Sequence, residues 1–213
     1  MNLATTTDGE SSPAAWRIRA ATPVDGAAIE RLHLAAFPEE GPQIVDLLRS
    51  LAPATRASFV AVAALVETTE PDLEPVIGHV QLSRGWVDAR RALVEVLVLS
   101  PLGVDPAHQG HGIGAALVGA ALEWARAHAV AGVFLEGDPG YYGRLGFEPA
   151  ARHHVTPPSE RIPAAACQLV VTGEWPAWLR GRLVYAEAFW ATDTVGLRDP
   201  LLAELETRFG APS

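Results

Sequence analysis

The chain contains no lysine, so all 16 of its Lys and Arg positions are arginine. A Walker-type phosphate loop requires a lysine that reaches the phosphates, and Schiff-base catalysis requires a lysine amine. The chain also has a single cysteine, Cys167, which excludes an internal disulfide framework and any metal site built from paired cysteines. These classes of site are therefore excluded, and the low cysteine content agrees with a reducing cytoplasm.

Long apolar runs and excess positive charge are missing as well. No run of about 18 or more apolar residues occurs, so the sequence predicts no membrane-spanning helix. Residues 1–14 lack both the basic start and the apolar stretch of a secretory signal, and we expect them to form a flexible tail. The formal net charge of −9 disfavours nucleic acid as a partner and favours a cationic small molecule or peptide. We therefore expect a cytoplasmic protein.

What the sequence does contain is the apolar periodicity of a single α/β domain. Apolar residues make up 49% of the chain. We expect the domain to span 15–190, followed by a C-terminal extension at 191–213 with a helix at 199–209. The predicted elements are, in chain order, a strand at 16–22, helices at 22–37 and 43–52, strands at 58–67, 75–84 and 92–104, a helix at 114–129, and strands at 131–138, 167–172 and 181–190.

The run "ALVEVLVLSPLGV" at 92–104 is apolar at most positions, which predicts a strand in the centre of a sheet. Pro101 interrupts this run. A proline has no backbone N–H to donate to a neighbouring strand, so a central strand that contains one needs a bulge or a local separation. We therefore expect the sheet to open near Pro101.

Three glycines at alternate positions, Gly110, Gly112 and Gly114, precede a predicted helix. They fit a plain tight turn with close helix packing. Gly110, Gly112 and Ala115 also fit the G-x-G-x-x-[GA] dinucleotide fingerprint, with Glu136 as the acidic residue that follows. The context disagrees with that fingerprint, because "DPAHQ" separates the preceding strand from the first glycine and the unit lies in the middle of the chain.

The stretch from Val104 to Gly114 resembles the acetyl-coenzyme A binding motif of the GCN5-related N-acetyltransferases, V-x-P-x-x-Q-G-x-G-I-G. The family signature [QR]-x-x-G-x-[GA] matches Gln109, Gly112 and Gly114. The first turn of a helix has unpaired N–H groups and a partial positive charge, so its backbone can bind a pyrophosphate. Side chains at the glycine positions would obstruct that approach.

A second segment, "GDPGYYGRLGFEPA" at 137–150, resembles the part of these enzymes that follows the fifth strand. Tyr142 stands four residues before Gly146, as a tyrosine stands before the "GF" pair in the family. The segment is similar to G-D-P-x-Y-Y-x-R-F-G-F in a bacterial branch of predicted N-acetyltransferases, with Leu145 in place of the phenylalanine. The resemblance covers roughly residues 16–190.

The resemblance implies a mixed α/β sheet of about seven strands with helices on both faces. The fourth and fifth strands would be the only parallel neighbours, and they would separate at a bulge. Acetyl-CoA would enter that gap as the acyl-donor cosubstrate, without a metal, in a protein that is a monomer or a homodimer. The residues that the resemblance assigns to acetyl-CoA are Leu102, Gly103, Val104, Gln109, Gly110, His111, Gly112, Ile113, Gly114 and Ala115.

The resemblance also implies direct transfer of an acetyl group to the primary amine of a small molecule or peptide. Tyr142 would act as the general acid that protonates the leaving thiolate. The glutamate that some members carry on the fourth strand is replaced by Val98 here. Glu95 on the same strand is the candidate base, with Glu136 and Asp138 as alternatives.

Acceptor binding is expected between the first two helices and at a loop aromatic. A cationic amine would be attracted to carboxylates there. The candidate residues are Glu39, Glu40 and Trp86. Three other functions stay open: a module that binds and senses acyl-CoA without turnover, an enzyme that transfers a longer acyl group, and a nicotinamide-dependent oxidoreductase.

Overall fold

A computed structural model describes residues 16–63, 75–197 and 201–209. The predicted tail at 1–14 lies outside the described residues, as does the end of the strand predicted at 58–67. The elements within the described ranges are β1 (Trp16–Ala20), α1 (Gly26–Ala36), α2 (Gly41–Ser50), β2 (Thr55–Ala63), β3 (Val76–Ala89), β4 (Ala92–Val104), α3 (Ile113–Ala127), β5 (Gly132–Glu136), α4 (Pro139–Tyr142), β6 (Glu148–Pro149), β7 (Val155–Thr156), β8 (Cys167–Val171), β9 (Gly181–Tyr185), α5 (Glu187–Ala191) and α6 (Leu201–Phe209).

The strands form one mixed sheet in the order β1-β2-β3-β4-β5-β8-β6, and β9 pairs with the end of β3 beyond β2. Most neighbours are antiparallel, and β4 and β5 are parallel, which confirms the predicted fold class. Two expectations need correction. The described residues contain nine strands rather than about seven, and β7 and β9 form a second parallel pair. β6 and β7 have two residues each, too few to show a period of two in the sequence.

Helices cover both faces of the sheet, as expected, and successive side chains of β4 pack on opposite faces. Val96 and Val98 point to one face, where they pack in a cluster that also contains α2, α5 and α6 residues. Leu97 and Leu99 point to the other face and pack with α3. Both faces of this strand are thus covered, which explains its nearly continuous apolar sequence.

The predicted interruption of β4 at Pro101 is confirmed. Val80 of β3 faces Leu102, whereas Leu82 faces Leu99, so β4 carries one more residue than β3 between these pairs. This extra residue is a β-bulge. On the other edge, β4 pairs with β5 only at Leu97 and Val98, so the two parallel strands separate beyond Val98 and leave a gap between them.

The end of the domain differs from the expectation. The strand predicted at 181–190 ends at Tyr185, and Glu187–Ala191 forms α5. The segment "AEAFWA" (residues 186–191) lacks the alternation of a strand. The side chain of Phe189, which belongs to α5, is buried. The helix predicted at 199–209 is described from Leu201 to Phe209. Among the helices of the described ranges, none combines the length and the apolar character needed to cross a bilayer.

Candidate functional site

The glycine turn connects β4 to α3 with two residues in the left-handed region. Gly110 has φ +80° and Gly112, which caps α3, has φ +79°. L-residues with a side chain adopt this region only at a cost, so glycine is favoured at both positions. Gln109 donates from Nε2 to the carbonyl oxygen of Val104 at 3.1 Å, and this bond ties the turn to the end of β4.

A cavity, here called the turn cavity, lies along this turn. It contains nine of the ten residues that the sequence assigned to acetyl-CoA: Leu102, Gly103, Val104, Gln109, Gly110, Gly112, Ile113, Gly114 and Ala115. His111 does not line it, and its Nδ1 lies 2.8 Å from the carbonyl oxygen of Gln109. Ala36, Phe37, His108 and Tyr141 also line the cavity.

The turn cavity is suited to an anion despite the negative charge of the chain. The amides of the first turn of α3 have no acceptor within the helix, and the helix dipole adds a partial positive charge at this end. The Cβ of a residue at Gly112 would meet no atom within 4 Å, and one at Gly114 would lie 2.9 Å from the Tyr141 hydroxyl. Bare glycines therefore keep the approach to the backbone amides open.

A second cavity of about 400 Å³, here called the wedge cavity, lies where β4 and β5 separate. Its floor is the bulge region of β4 at 98–102, and its walls come from α2, α4, the segment 185–197 and Leu201. Phe37 and Leu102 line both cavities. The turn cavity and the wedge cavity are therefore adjacent, and they meet just beyond the bulge.

Tyr142 lies at the end of α4 and lines the wedge cavity. Its ring packs edge-to-face against Tyr141 and Phe147, with centroids 4.9 and 5.8 Å apart. The ring also covers Gly137, where any Cβ would overlap Cε2 of Tyr142. Burial raises the pKa of Tyr142 above its ordinary value of 10.0, so its hydroxyl is protonated at neutral pH.

Of the three carboxylates considered as a base, only Glu136 lines the wedge cavity. It is the last residue of β5, and its Oε2 accepts a hydrogen bond from the backbone N–H of Gly196 at 3.0 Å. Glu95 lies away from both cavities and forms an ion pair with Arg56 at 2.9 Å. Asp138 caps α4 by accepting from the N–H of Gly140.

The three residues expected on the acceptor side are also separated. Glu40 lines the wedge cavity, whereas Glu39 is exposed beside it and Trp86 lies on β3. The guanidinium of Arg84 stacks over the Trp86 ring, 4.9 Å from its centroid. Trp86 therefore lies on the surface of the sheet and lines neither cavity.

Several residues of the cavities carry no local signal in the sequence. Gln43 of α2 donates from Nε2 to the carbonyl oxygens of Thr192 and Asp193 at 2.7 and 3.0 Å. This contact joins residues about 150 positions apart, and it closes one side of the wedge cavity. Tyr185 and Phe189 are buried in the wall, and their sequence pattern indicated only a strand.

A buried histidine pair, His33 and His79, lies against β4 at Gly103. Nε2 of His33 and Nδ1 of His79 are 2.8 Å apart, and the Ser58 hydroxyl lies 2.8 Å from Nε2 of His79. Burial lowers the pKa of His33 to about 4 and that of His79 to about 3, so both rings are neutral at pH 7. A Cβ on Gly103 would lie 2.9 Å from the His33 ring, which explains the glycine in this strand.

Among the described residues, no group of three or more His, Cys, Asp or Glu side chains could hold a metal ion. Cys167 is buried in the core, as expected. Burial and the nearby Glu136 raise the pKa of its thiol. A protonated, inaccessible thiol is a poor nucleophile.

Comparison with known proteins identifies related sequences and structures. Residues 27–147 match the model of the Acetyltransferase (GNAT) family. An aminoglycoside N(6')-acetyltransferase type 1 of Stenotrophomonas maltophilia is 35% identical over 115 residues, which cover 51% of this chain and 67% of the relative.

Two solved structures are similar over most of both chains. The N-acetyltransferase YhbS of Escherichia coli in complex with CoA has a TM-score of 0.71 and 26% identity, and covers 87% of this chain and 96% of its own. A GNAT family acetyltransferase of Brucella melitensis in complex with acetyl-CoA has a TM-score of 0.62 and 31% identity, over 83% of this chain and 99% of its own.

Proposed function

Since the chain belongs to the acetyltransferase (GNAT) family and is an N-acetyltransferase that uses acetyl-CoA, we propose that it acetylates the primary amine of a small molecule or peptide. The observation that carries this proposal is the junction of the two cavities at Leu102. The turn cavity has the open amides that a pyrophosphate needs, and the wedge cavity beside it contains a tyrosine and a carboxylate.

Acetyl-CoA supplies the thioester, and the residues of this chain position it and move protons. The pyrophosphate would bind at Gly110, Gly112 and the first amides of α3. A backbone N–H between Leu102 and Val104 would stabilise the negative charge that develops on the thioester oxygen. Removing one such donor in other enzymes costs about 10²- to 10³-fold in rate.

The acceptor nitrogen forms a bond to the carbonyl carbon, and the carbon–sulfur bond breaks. The acceptor first gives its ammonium proton to the base, which passes that proton to solvent. After attack, the leaving thiolate takes the proton of the Tyr142 hydroxyl, while the nitrogen loses a second proton to the base. Transfer of that proton back to the tyrosinate restores the enzyme. General acid catalysis of this kind contributes about 10²- to 10⁴-fold.

The base must remove a proton from the ammonium group of the acceptor before its nitrogen can attack. An alkyl amine with a pKa near 10.4 is almost wholly protonated at pH 7, which separates it from its reactive form by about 4 to 5 kcal/mol. We assign this role to Glu136, directly or through water, because its carboxylate lies in the same cavity as Tyr142. Glu95, the first candidate from the sequence, lies outside that cavity.

Calorimetric titration of acetyl-CoA tests the donor site. Wild-type protein should bind it with a micromolar Kd, and Gly112→Glu should abolish binding because a carboxylate would meet the pyrophosphate. Gly119→Glu is the matched control, since it adds the same charge about 10 Å further along α3 where a Cβ meets no atom within 4 Å. Equal binding by both variants would contradict the assignment.

Thiol release with an amine tests turnover. Tyr142→Phe should lower kcat by about 10²-fold or more and leave the Kd of acetyl-CoA unchanged. A protein that binds acetyl-CoA but releases no thiol with any amine would instead be a sensor of acyl-CoA. Comparison of acetyl-CoA with longer acyl-CoA donors separates the remaining alternative.

A further inference from the structure

The wedge cavity combines a mostly apolar lining with two carboxylates. Ten of its eighteen lining residues are aliphatic, proline or phenylalanine, and two, Glu40 and Glu136, are charged. Glu136 lies at the end of β5, deep in the wedge, whereas Glu40 lies at the start of α2. The cavity thus contains the Glu136 carboxylate and Tyr142 within a mostly apolar wall.

The polar groups of the wall are largely engaged by the protein itself. The side-chain amide of Gln43 donates to two carbonyl oxygens. The hydroxyl of Thr194 bonds to the carbonyl oxygen of Phe189 at 3.2 Å. A ligand with many hydroxyl or ammonium groups would lose its hydration here and find few partners, and unpaired buried polar groups are costly.

We propose that the acceptor is a primary amine on a single apolar or aromatic body, an arylalkylamine, and not a polycationic sugar. This inference rests on the proposed function. The ammonium group would lie at Glu136, within reach of the thioester, and the apolar body would lie against Phe37, Ile44 and Phe189. The volume of about 400 Å³ is near the small end for ligand pockets, and the acetyl group occupies part of it.

A panel of acceptors tests the inference through thiol release from acetyl-CoA. The probes are 2-phenylethylamine, ethylamine and kanamycin, an aminoglycoside. We expect kcat/KM for 2-phenylethylamine to exceed that for ethylamine by about fiftyfold, the order expected for removing a phenyl group from water. It should exceed the value for kanamycin by at least as much. Equal values for the three amines, or a preference for kanamycin, would overturn the inference.

Ile44→Asp places a carboxylate in the apolar wall. Ile44 is half-buried on α2, and the variant should reduce the preference for 2-phenylethylamine over ethylamine at least tenfold. Leu34→Asp is the matched control on the neighbouring helix α1, because Leu34 is 46% exposed and lines neither cavity; its preference should match wild type. An unchanged preference in Ile44→Asp would count against the inference, and Ile44→Ala provides a milder second variant with a smaller expected loss.

The two proposals can fail separately. Absence of acetyl-CoA binding in calorimetry would overturn the proposed function and the acceptor class together. Binding of acetyl-CoA with turnover of kanamycin in preference to 2-phenylethylamine would leave the acetyltransferase function intact and overturn only the acceptor class. Binding without turnover of any arylalkylamine would also overturn the acceptor class.

Discussion

Gly137 positions the proposed general acid, and its replacement by alanine tests that role. Carbon atoms pack at about 3.5 to 4.0 Å, whereas a Cβ on Gly137 would lie 2.8 Å from Cδ2 of Tyr142 and closer still to Cε2. The tyrosine ring would therefore have to move by about 1 Å. Tyr141 and Phe147 pack against that ring, so it cannot make room without shifting its hydroxyl from its present position in the wedge cavity.

A misplacement of about 1 Å in a catalytic group costs on the order of 10²-fold in rate. We expect Gly137→Ala to lower kcat by about that factor in the thiol-release assay. The Kd of acetyl-CoA, measured by calorimetry, should stay within about threefold of wild type, because the turn cavity does not include Gly137. Gly137→Ala is therefore expected to lower kcat and not to weaken the binding of acetyl-CoA.

Two comparisons make the result decisive. Gly143→Ala is the matched control, since Gly143 follows Tyr142 directly, has a helical φ of −58° and would meet no atom within 4 Å. In a Tyr142→Phe background, Gly137→Ala should add little, because both changes remove the same contribution. A wild-type kcat in Gly137→Ala, or a full additional loss in the double variant, would refute the positioning role.

Two further predictions concern stability. Burial lowers the pKa of His33 to about 4 and that of His79 to about 3. Below pH 6.5 the unfolded chain therefore binds more protons at these two histidines than the folded chain does. The free energy of unfolding should fall as the pH drops from about 6.5 towards 4, by up to about 1.4 kcal/mol per pH unit for each histidine; urea titrations with no change between pH 6.5 and 5 would contradict this. Arg19→Leu should lower the free energy of unfolding by about 3 kcal/mol, since it leaves the buried Asp25 carboxylate without its two bonds of 2.7 and 2.8 Å. Arg49→Leu, which breaks an exposed pair with Glu30, should change it little, and similar losses in both variants would argue against the buried pair.

The sequence predicted the turn and the bulge on the proposed donor side because their determinants are local. The glycines at 110 and 112 need a positive φ, and Pro101 cannot complete the ladder of a central strand, so a turn and a bulge could be placed within one or two residues. The position of Tyr142 followed from its resemblance to a known segment and not from any periodicity.

The acceptor side could not be predicted in the same way. Its wall brings together α2, the end of β5 and the segment after β9, and these contacts depend on the fold and not on neighbouring residues. The sequence could not show that Glu95 lines neither cavity, because strand periodicity gives the face of the sheet but not the position of a cavity along the strand. The sequence did not predict the helix at 187–191, because the apolar residues of β9 just before it led to a predicted strand that continued through this segment.

The two cavities also differ in which parts of the chain line them. The residues that line the turn cavity all fall between Ala36 and Tyr141, inside the stretch at 27–147 that matches the family model. Tyr185, Phe189, Thr194 and Leu197, which close the wedge cavity, all lie after that stretch. Among the described residues, those after position 147 contribute to the wedge cavity and not to the turn cavity, so exchanging the last 30 or so residues between relatives would be expected to change the proposed amine preference and to leave the turn cavity as it is.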